Sequence, residues 1–417
     1  MDSIILNFEF HNIRFAKLYI LYFKWYKIIK NYYFMQMHYK IFNSNKYFAT
    51  ILLVIFFLSF SSCKPFYNSV YQKPQLVDRK PSKQIKKLHK KLFYISKKGF
   101  AIGHQDATAY GIGWKDADFP NEIKSDVNDV VGDFPAVYGF DIGHIELGSS
   151  INLDTVSFTT MKKLIIDAHN KGGIITISWH LDNPTTDGSS WDKTSAVSDI
   201  IIGGKHREKY ELWVSRLADF IKSLKVNGEL IPIIFRPFHE MNGGWFWWGE
   251  GNCTAAEYKT IWQETVHLLR DTHKLNNLLY AYSPNKLNPN DDYMKYYPGD
   301  NYTDFLGIDI YDFKNSENYI KSVVHDLKLV KEIATKKNKL FAFTETGLES
   351  IPTPNWFSEV LYPNLADTGI AWILLWRNAR KDHHYMPYKG HSSEDDFKVF
   401  EKLPKTLFLK DLNSIKY

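Results

Sequence analysis

From residue 99 onward, short apolar runs alternate with longer stretches in which apolar residues recur at helical spacing. Most of the runs are almost continuously apolar, as expected for strands buried on both faces of a parallel sheet. The intervening stretches, such as FTTMKKLIIDAHN and YELWVSRLADFIKSL, have the spacing of amphipathic helices. The eight runs are GFAIGHQ, PAVYGFDI, GIITISWH, IPIIFRPFHE, NLLYAYSP, DFLGIDIYD, LFAFTETG and IAWILLWRN.

Eight strand–helix units over about 280 residues predict a (β/α)8 TIM barrel. An open, doubly wound sheet is the alternative, and the regular repetition of eight units makes it the less favoured one. An additional helix is predicted before the first strand. There QIKKLHKKLFYISKKG places Ile85, Leu88, Leu92 and Ile95 on one face, with lysines on a solvated face that could also touch anionic headgroups.

The N-terminal segment resembles a bacterial lipoprotein leader. YFATILLVIFFLSFSSC is a short apolar run that follows lysines and ends in small residues and Cys63. The run is short for a membrane-spanning helix, although an uncleaved anchor is the alternative. We therefore expect a leader over residues 1–63, lipidation at Cys63, and a true start at Met35 or Met37.

Residues 64–84 are polar and contain three prolines, which predicts a tether, and residues 85–417 are expected to form the (β/α)8 domain. If Cys63 carries lipid, Cys253 is the only other cysteine. We then expect no intrachain disulfide and no cysteine-based metal site, with a structural role for Cys253.

The formal charge of +6 comes from the N-terminal part of the chain. Residues 64–98 alone carry eleven lysines and arginines against one aspartate, which leaves the body after residue 99 acidic. An acidic body argues against nucleic acid as a partner.

Polar and aromatic side chains follow the apolar part of nearly every predicted strand. In a TIM barrel the carboxyl ends of the strands form the active-site face, so these side chains are expected to line one cleft. They are His104, Gln105, Asp141, Trp179, His180, His239, Glu240, Ser283, Asp309, Tyr311, Glu345, Trp376 and Arg377.

Two glutamates stand out among them, Glu240 after the fourth strand and Glu345 after the seventh. These strands lie across the barrel mouth from each other, and paired carboxylates flanking a bond are the apparatus of glycoside hydrolysis. The residues alone do not assign the acid and the nucleophile. Arg236, in the fourth run, is expected to reach a carboxylate in the mouth.

Metal and serine-hydrolase chemistry are not favoured. HEMNG has Gly243 where a HExxH zinc motif needs histidine, and His383 and His384 are adjacent. Ser283 lacks the G-x-S-x-G motif. We expect no required metal or cofactor.

Several motifs together resemble glycoside hydrolase family 26 over about residues 99–400. They are HQDATAYG, WHLDNP, IIFRPFHEMNGGWFWWG, YPGDNYTDFLGIDIYD, FTETG, and WRNA followed by HHYMPYKGH. The resemblance implies a (β/α)8 barrel and retaining chemistry, with Glu240 as acid/base and Glu345 as nucleophile. It also implies a carboxylate separation of about 5–5.5 Å.

The resemblance also implies roles for neighbouring residues. His180 would contact substrate, and His239 would contact the sugar beside the scissile bond or position a glutamate. Tyr311 would hydrogen-bond near the nucleophile. Trp245 would lie on the leaving-group side, with Trp376 and Arg377 on the opposite side.

Flat aromatic rings bury the C–H faces of sugars well. Trp191, on the loop after the third strand, is a candidate wall of the cleft. Trp247 and Trp248 are expected to pack beneath the loop rather than to bind ligand.

The expected function is endo-acting cleavage of β-1,4-mannosidic bonds in mannan, glucomannan or galactomannan. Alternatives are β-1,3-xylanase or mixed-linkage β-glucanase activity, or a non-catalytic carbohydrate-binding lipoprotein. We expect a monomeric outer-membrane lipoprotein on the periplasmic or cell-surface face. Its partners would be a β-mannan-type glycan and, through Cys63, the membrane.

Overall fold

The computed structural model describes residues 74–119 and 122–415. The predicted leader, Cys63 and residues 64–73 of the predicted tether lie outside the described residues. Within those two ranges, no helix combines the length and the apolar character needed to cross a bilayer.

Eight parallel strands form a closed barrel, which confirms the predicted fold. Each strand pairs with its neighbour in chain order, and the last strand pairs with the first from Ala101 opposite Trp372 to His104 opposite Leu375. All eight apolar runs of the sequence supply a strand. The strands are β1 (Phe100–Gln105), β2 (Val137–Asp141), β3 (Ile174–Trp179), β4 (Ile233–Pro237), β5 (Leu278–Tyr282), β6 (Phe305–Asp312), β7 (Leu340–Leu348) and β8 (Trp372–Leu375).

Helices surround the barrel, and side chains cap several of their first turns. Ser157 accepts from the amide of Thr160, and Thr254 and Glu257 form a capping box. The helices are α1 (Lys83–Lys98), α2 (Asp126–Val131), α3 (Phe158–Asn170), α4 (Val197–Ile200), α5 (Arg207–Ser223), α6 (Ala255–His267), α7 (Ser316–Lys337), α8 (Tyr362–Leu365), α9 (Glu394–Glu401) and α10 (Leu409–Ser414).

Short elements complete the fold. Two π-helical turns, two small hairpins and a two-residue strand beside β1 connect the main elements. They are Leu268–Thr272 and Trp356–Leu361, the hairpins Tyr110–Gly111 with Trp114–Lys115 and Lys225–Val226 with Glu229–Leu230, and the strand Thr406–Leu407.

The barrel strands alternate between two apolar clusters, because successive side chains point to opposite faces. One cluster packs the strands against the outer helices. The other contains alternate strand residues such as Val137, Ile234 and Leu279, together with the apolar face of α1. This grouping identifies the second cluster as the barrel interior and α1 as the helix that closes one end of it.

The predicted apolar face of α1 is confirmed, because all four of its aliphatic side chains are buried. The chain before the helix also packs on the barrel: Val77 is buried, and its amide donates a 2.8 Å hydrogen bond to Asp304. The amide of Ser82 donates to the carbonyl of Asn276 across 2.8 Å. The last residues of the stretch predicted as a tether therefore lie along the barrel surface.

Candidate active site

Glu240 and Glu345 meet at the carboxyl ends of the barrel strands. Glu240 follows β4 in a left-handed backbone conformation (φ 56°), and its amide donates to the carbonyl of Ser283 across 2.8 Å. A non-glycine residue holds such a conformation only where its surroundings fix it. The contact with Ser283, beyond β5, supplies that constraint.

A register shift between β6 and β7 brings a third carboxylate, that of Asp309, close to Glu240 and Glu345. The pairing of β6 with β7 slips by one residue after Ile308, so that Asp309 lies opposite Glu345. Such bulges occur next to active sites, where they redirect side chains. One carboxylate oxygen from each of Glu240, Asp309 and Glu345 lies within 4.8 Å of the other two.

The spacing of the two glutamates can be compared with the two forms of glycoside hydrolysis. Inverting enzymes separate their carboxyl groups by about 6.5–9.5 Å to admit a water, whereas retaining enzymes hold them about 5–5.5 Å apart. Oxygens of Glu240 and Glu345 within 4.8 Å fit direct attack by one carboxylate.

Arg236 forms ion pairs with two of the three carboxylates. Its buried guanidinium donates to Asp309 across 2.8 Å and also to Glu345. The prediction that Arg236 reaches a carboxylate in the mouth is therefore confirmed. Three clustered carboxylates could hold a cation, and here the guanidinium already places a positive charge between two of them.

The environment of Glu240 favours its protonated form. Its side chain keeps part of its surface open to the cleft. Burial raises the pKa of Glu240 well above its ordinary value, and the charges of Asp309 and Glu345 raise it further, while Arg236 and Trp245 lower it in part. A carboxyl group that keeps its proton near neutral pH can act as a general acid.

Asp309 belongs to the same electrostatic cluster. Burial raises its pKa to about 7, and Arg236 offsets part of that effect. The hydroxyl of Ser283 donates to Asp309 across 2.7 Å and lies 2.8 Å from the hydroxyl of Thr344. These contacts fix the Asp309 carboxylate beside the two glutamates.

Both oxygens of Glu345 are held. Arg236 binds Oε1, and the hydroxyl of Tyr311 donates to Oε2 across 2.7 Å. Burial and the nearby charge of Glu345 raise the pKa of Tyr311 well above its ordinary value, so the hydroxyl keeps its proton as a donor. These two contacts thus fix the orientation of the Glu345 carboxylate.

Two buried histidines of the site, His180 and His239, are in hydrogen-bond contact with each other. His180 Nδ1 lies 2.6 Å from Asp141, and its Nε2 lies 3.1 Å from Nε2 of His239. Burial alone would lower the pKa of His180, but the Asp141 carboxylate more than offsets burial and raises it. Burial and the charges of Arg236 and His180 hold the pKa of His239 well below its ordinary value. His239 is therefore neutral at pH 7.

Aromatic rings border these histidines. Trp191 stacks on His180 with ring centroids 5.5 Å apart, and half of its surface is exposed. Trp376 approaches the same histidine edge-on at 6.3 Å. The indole nitrogen of Trp245 donates to Glu240 Oε2 across 3.0 Å.

The other two tryptophans of the loop after β4 are packed inside, as predicted. Trp247 and Trp248 are fully buried. Their indole nitrogens donate to the carbonyls of Leu181 at 3.1 Å and His239 at 2.9 Å. They support the loop from beneath and hold His239 in place.

Arg377 lines a cavity whose lining residues do not include the paired glutamates. It binds Asp154 across 2.5 Å and the hydroxyl of Tyr110 across 3.3 Å. These residues border a cavity of about 650 Å³. Arg377 is thus placed to shape one end of the cleft.

The sequence indicated some of the acidic residues of this site but not others. Asp141 and Asp309 could be found because they end predicted strands. Asp154 and Glu146 come from the loop after β2, whose path the sequence does not reveal. Glu146 accepts from the indole of Trp179 across 2.9 Å, and burial raises its pKa to about 7.

A closed barrel with paired glutamates and aromatic rings at the carboxyl ends of its strands is typical of the glycoside hydrolase class. Residues 77–378 match the model of glycosyl hydrolase family 26. The chain therefore belongs to glycosyl hydrolase family 26.

Two curated relatives carry the same name. A mannan endo-1,4-β-mannosidase of Bifidobacterium adolescentis is 34% identical over 352 residues, covering 78% of this chain and 34% of that protein. One of the same name from Bacillus subtilis is 31% identical over 253 residues, covering 57% and 65%. The chain thus spans about a third of the length of the first relative and less than two thirds of the second.

Solved structures agree in fold. A family 26 β-mannanase from Bacteroides ovatus superposes with a TM-score of 0.76 at 42% identity, covering 79% of this chain and 96% of that one. A modular endo-β-1,4-mannanase from Cellulomonas fimi gives a TM-score of 0.73 at 32% identity, covering 81% and 78%.

Proposed function

We propose that this protein is a retaining endo-β-1,4-mannanase that uses Glu345 as nucleophile and Glu240 as acid/base. The observation that carries the chemistry is the approach of an oxygen of each of these two carboxylates to within 4.8 Å, with burial and neighbouring charges raising the pKa of Glu240 and with Arg236 donating to Glu345. The names of the relatives from Bifidobacterium, Bacillus and Bacteroides support mannan as the substrate.

In the first step, Glu345 attacks the anomeric carbon while the bond to the leaving oxygen breaks. Glu240 gives its proton to that oxygen, and a glycosyl ester of Glu345 forms. The ester removes the negative charge beside Glu240, so the pKa of Glu240 falls. In the second step Glu240 takes a proton from water, the water oxygen attacks the anomeric carbon, and the Glu345 carboxylate leaves.

The surrounding residues receive binding roles in this proposal. Trp245 supports the leaving sugar, and Trp376 with Arg377 binds the sugars on the other side. His180 and His239 contact the sugar at the scissile bond, and Trp191 forms a wall of the cleft. The rings supply rigid apolar surface for sugar C–H faces.

A substrate panel tests the activity. Residues 64–417 are purified and incubated with galactomannan, glucomannan, linear mannan, mixed-linkage β-glucan and β-1,3-xylan, and products are resolved by size. Manno-oligosaccharides of several lengths support an endo-mannanase. Cleavage of only glucan or xylan overturns the substrate and keeps the chemistry, whereas binding without cleavage favours a carbohydrate-binding lipoprotein.

We also propose a lipid anchor on Cys63, supported by the apolar run and the small residues before it. The anchor would attach a monomeric enzyme to the outer membrane. The test compares the full chain with Cys63→Ala by detergent phase partitioning and labelling with a radioactive fatty acid. Equal partitioning and no label on either chain would contradict the proposal.

A further inference from the structure

A small cavity opens beside the tyrosine that holds Glu345. It measures about 250 Å³, below the volumes of about 300–1,000 Å³ that hold drug-sized ligands. Its size therefore suits one sugar ring rather than a chain. The residues that line it are Tyr311, Asp312, Phe313, Lys314, Glu349 and Tyr385.

Phe313 forms the rim of this cavity. It is 86% exposed, the most exposed large apolar side chain in the described part of the chain. Its ring lies 6.4 Å from that of Tyr311, which also contacts Glu345. An apolar ring left in water next to a saccharide-cleaving site is suited to cover the C–H face of a sugar.

Hydrogen bonds to the side chain of Asp312 hold the turn that carries Phe313. The buried carboxylate of Asp312 accepts from the amide of Asn315 at 2.9 Å, the hydroxyl of Ser316 at 2.6 Å and the indole of Trp356 at 3.0 Å. These contacts fix the backbone on both sides of the exposed ring. A platform held in place before binding loses little conformational entropy when a ligand arrives.

Tyr385, which also lines the cavity, packs against β7, the strand that carries Glu345. Tyr385 packs so closely on Gly347 that a Cβ at Gly347 would lie 2.4 Å from its ring, so the contact requires glycine. The rings of Tyr385 and Tyr311 lie 5.6 Å apart. Tyr311 therefore both lines the cavity and donates a hydrogen bond to Glu345.

Two charged side chains, Glu349 and Lys314, also line this cavity. Oε1 of Glu349 lies 2.6 Å from Nδ1 of His383, which orients the carboxylate. Oε2 of Glu349 and the ammonium of Lys314 make no hydrogen bond or ion pair with residues 74–119 or 122–415. An oriented acceptor and a donor beside an aromatic ring match the hydroxyl groups of a sugar.

We propose that this cavity is a subsite for one hexopyranosyl unit of the substrate, with Phe313 as its platform. The proposal rests on the function proposed above. The unit comes either from the mannan main chain beyond the scissile bond or from a galactosyl branch. Both sources present a pyranose ring that carries C–H groups and hydroxyls.

The test compares Phe313→Ala with the unchanged chain on linear manno-oligosaccharides of increasing length and on galactosyl-branched ones. Ile202→Ala is the control, because Ile202 is 76% exposed and lies between α4 and α5. We expect Phe313→Ala to lower kcat/KM about three- to tenfold on the substrates that reach the cavity, relative to the shortest one cleaved.

A loss that grows with linear length assigns the subsite to the main chain, and a loss confined to branched substrates assigns it to a branch. Equal kcat/KM ratios for Phe313→Ala, Ile202→Ala and the unchanged chain on every substrate would overturn the subsite. Failure of the unchanged chain to cleave any mannan would instead overturn the proposed function.

Discussion

The indole nitrogen of Trp245 donates a 3.0 Å hydrogen bond to Oε2 of Glu240, five residues earlier in the chain. The same tryptophan thus touches the proposed proton donor and, in the function proposed above, supports the leaving sugar. This bond lowers the pKa of Glu240, against the larger effects of burial and neighbouring carboxylates that raise it. Binding and proton transfer are therefore coupled at one side chain.

Replacing Trp245 with phenylalanine should separate the two roles. Phenylalanine keeps an aromatic ring but donates no hydrogen bond, so the pKa of Glu240 should rise. Since the acid works only while protonated, the alkaline limb of the kcat/KM profile should move to higher pH. Trp245→Ala should move the limb in the same direction and also raise KM. An unmoved limb in both variants would mean that Glu240 does not set it.

Glu240→Gln removes the acid altogether. Activity of the unchanged enzyme should fall as pH rises through the raised pKa of Glu240, and in Glu240→Gln this alkaline limb should disappear. With mannan, whose leaving group needs a proton, kcat/KM should fall about 10²- to 10⁴-fold. An aryl β-mannobioside with an acidic phenol should lose far less in kcat/KM. Equal losses on both substrates would contradict the role of general acid.

Arg236→Ala should destabilise the fold as well as the site. The guanidinium is buried between Asp309 and Glu345, and its removal leaves two carboxylates without their countercharge. Breaking a buried pair costs about 3–5 kcal/mol. Urea denaturation should show this loss in the free energy of unfolding.

The matched control is Arg380→Ala, whose ion pair with Asp382 is exposed. Such pairs contribute about 0–1 kcal/mol. Equal free energies of unfolding for the two variants would show that the Arg236 cluster does not stabilise the barrel.

The sequence was most informative where periodicity dictates structure. All eight apolar runs became barrel strands, and the face of α1 lies in the core as its spacing indicates. Glu240 and Glu345 could be placed together because β4 and β7 end at the same face of the barrel.

The geometry of the loops could not be predicted from the sequence in the same way. The ion pair of Asp154 with Arg377 joins residues far apart in the chain, and no local pattern encodes it. The register slip that aligns Asp309 with Glu345 depends on strand pairing rather than on composition. The exposure of Phe313 likewise follows from contacts of Asp312 that only the folded chain creates.

The most direct test of the two-glutamate account is to trap the covalent intermediate. Glu240→Gln is incubated with an activated aryl β-mannobioside, whose leaving group departs without a proton while the second step lacks its base. Intact mass and peptide mapping then locate any adduct. If Glu345 is the nucleophile, one mannobiosyl unit should be found esterified to its side chain. An adduct on another residue, or turnover at undiminished rate without an adduct, would contradict it.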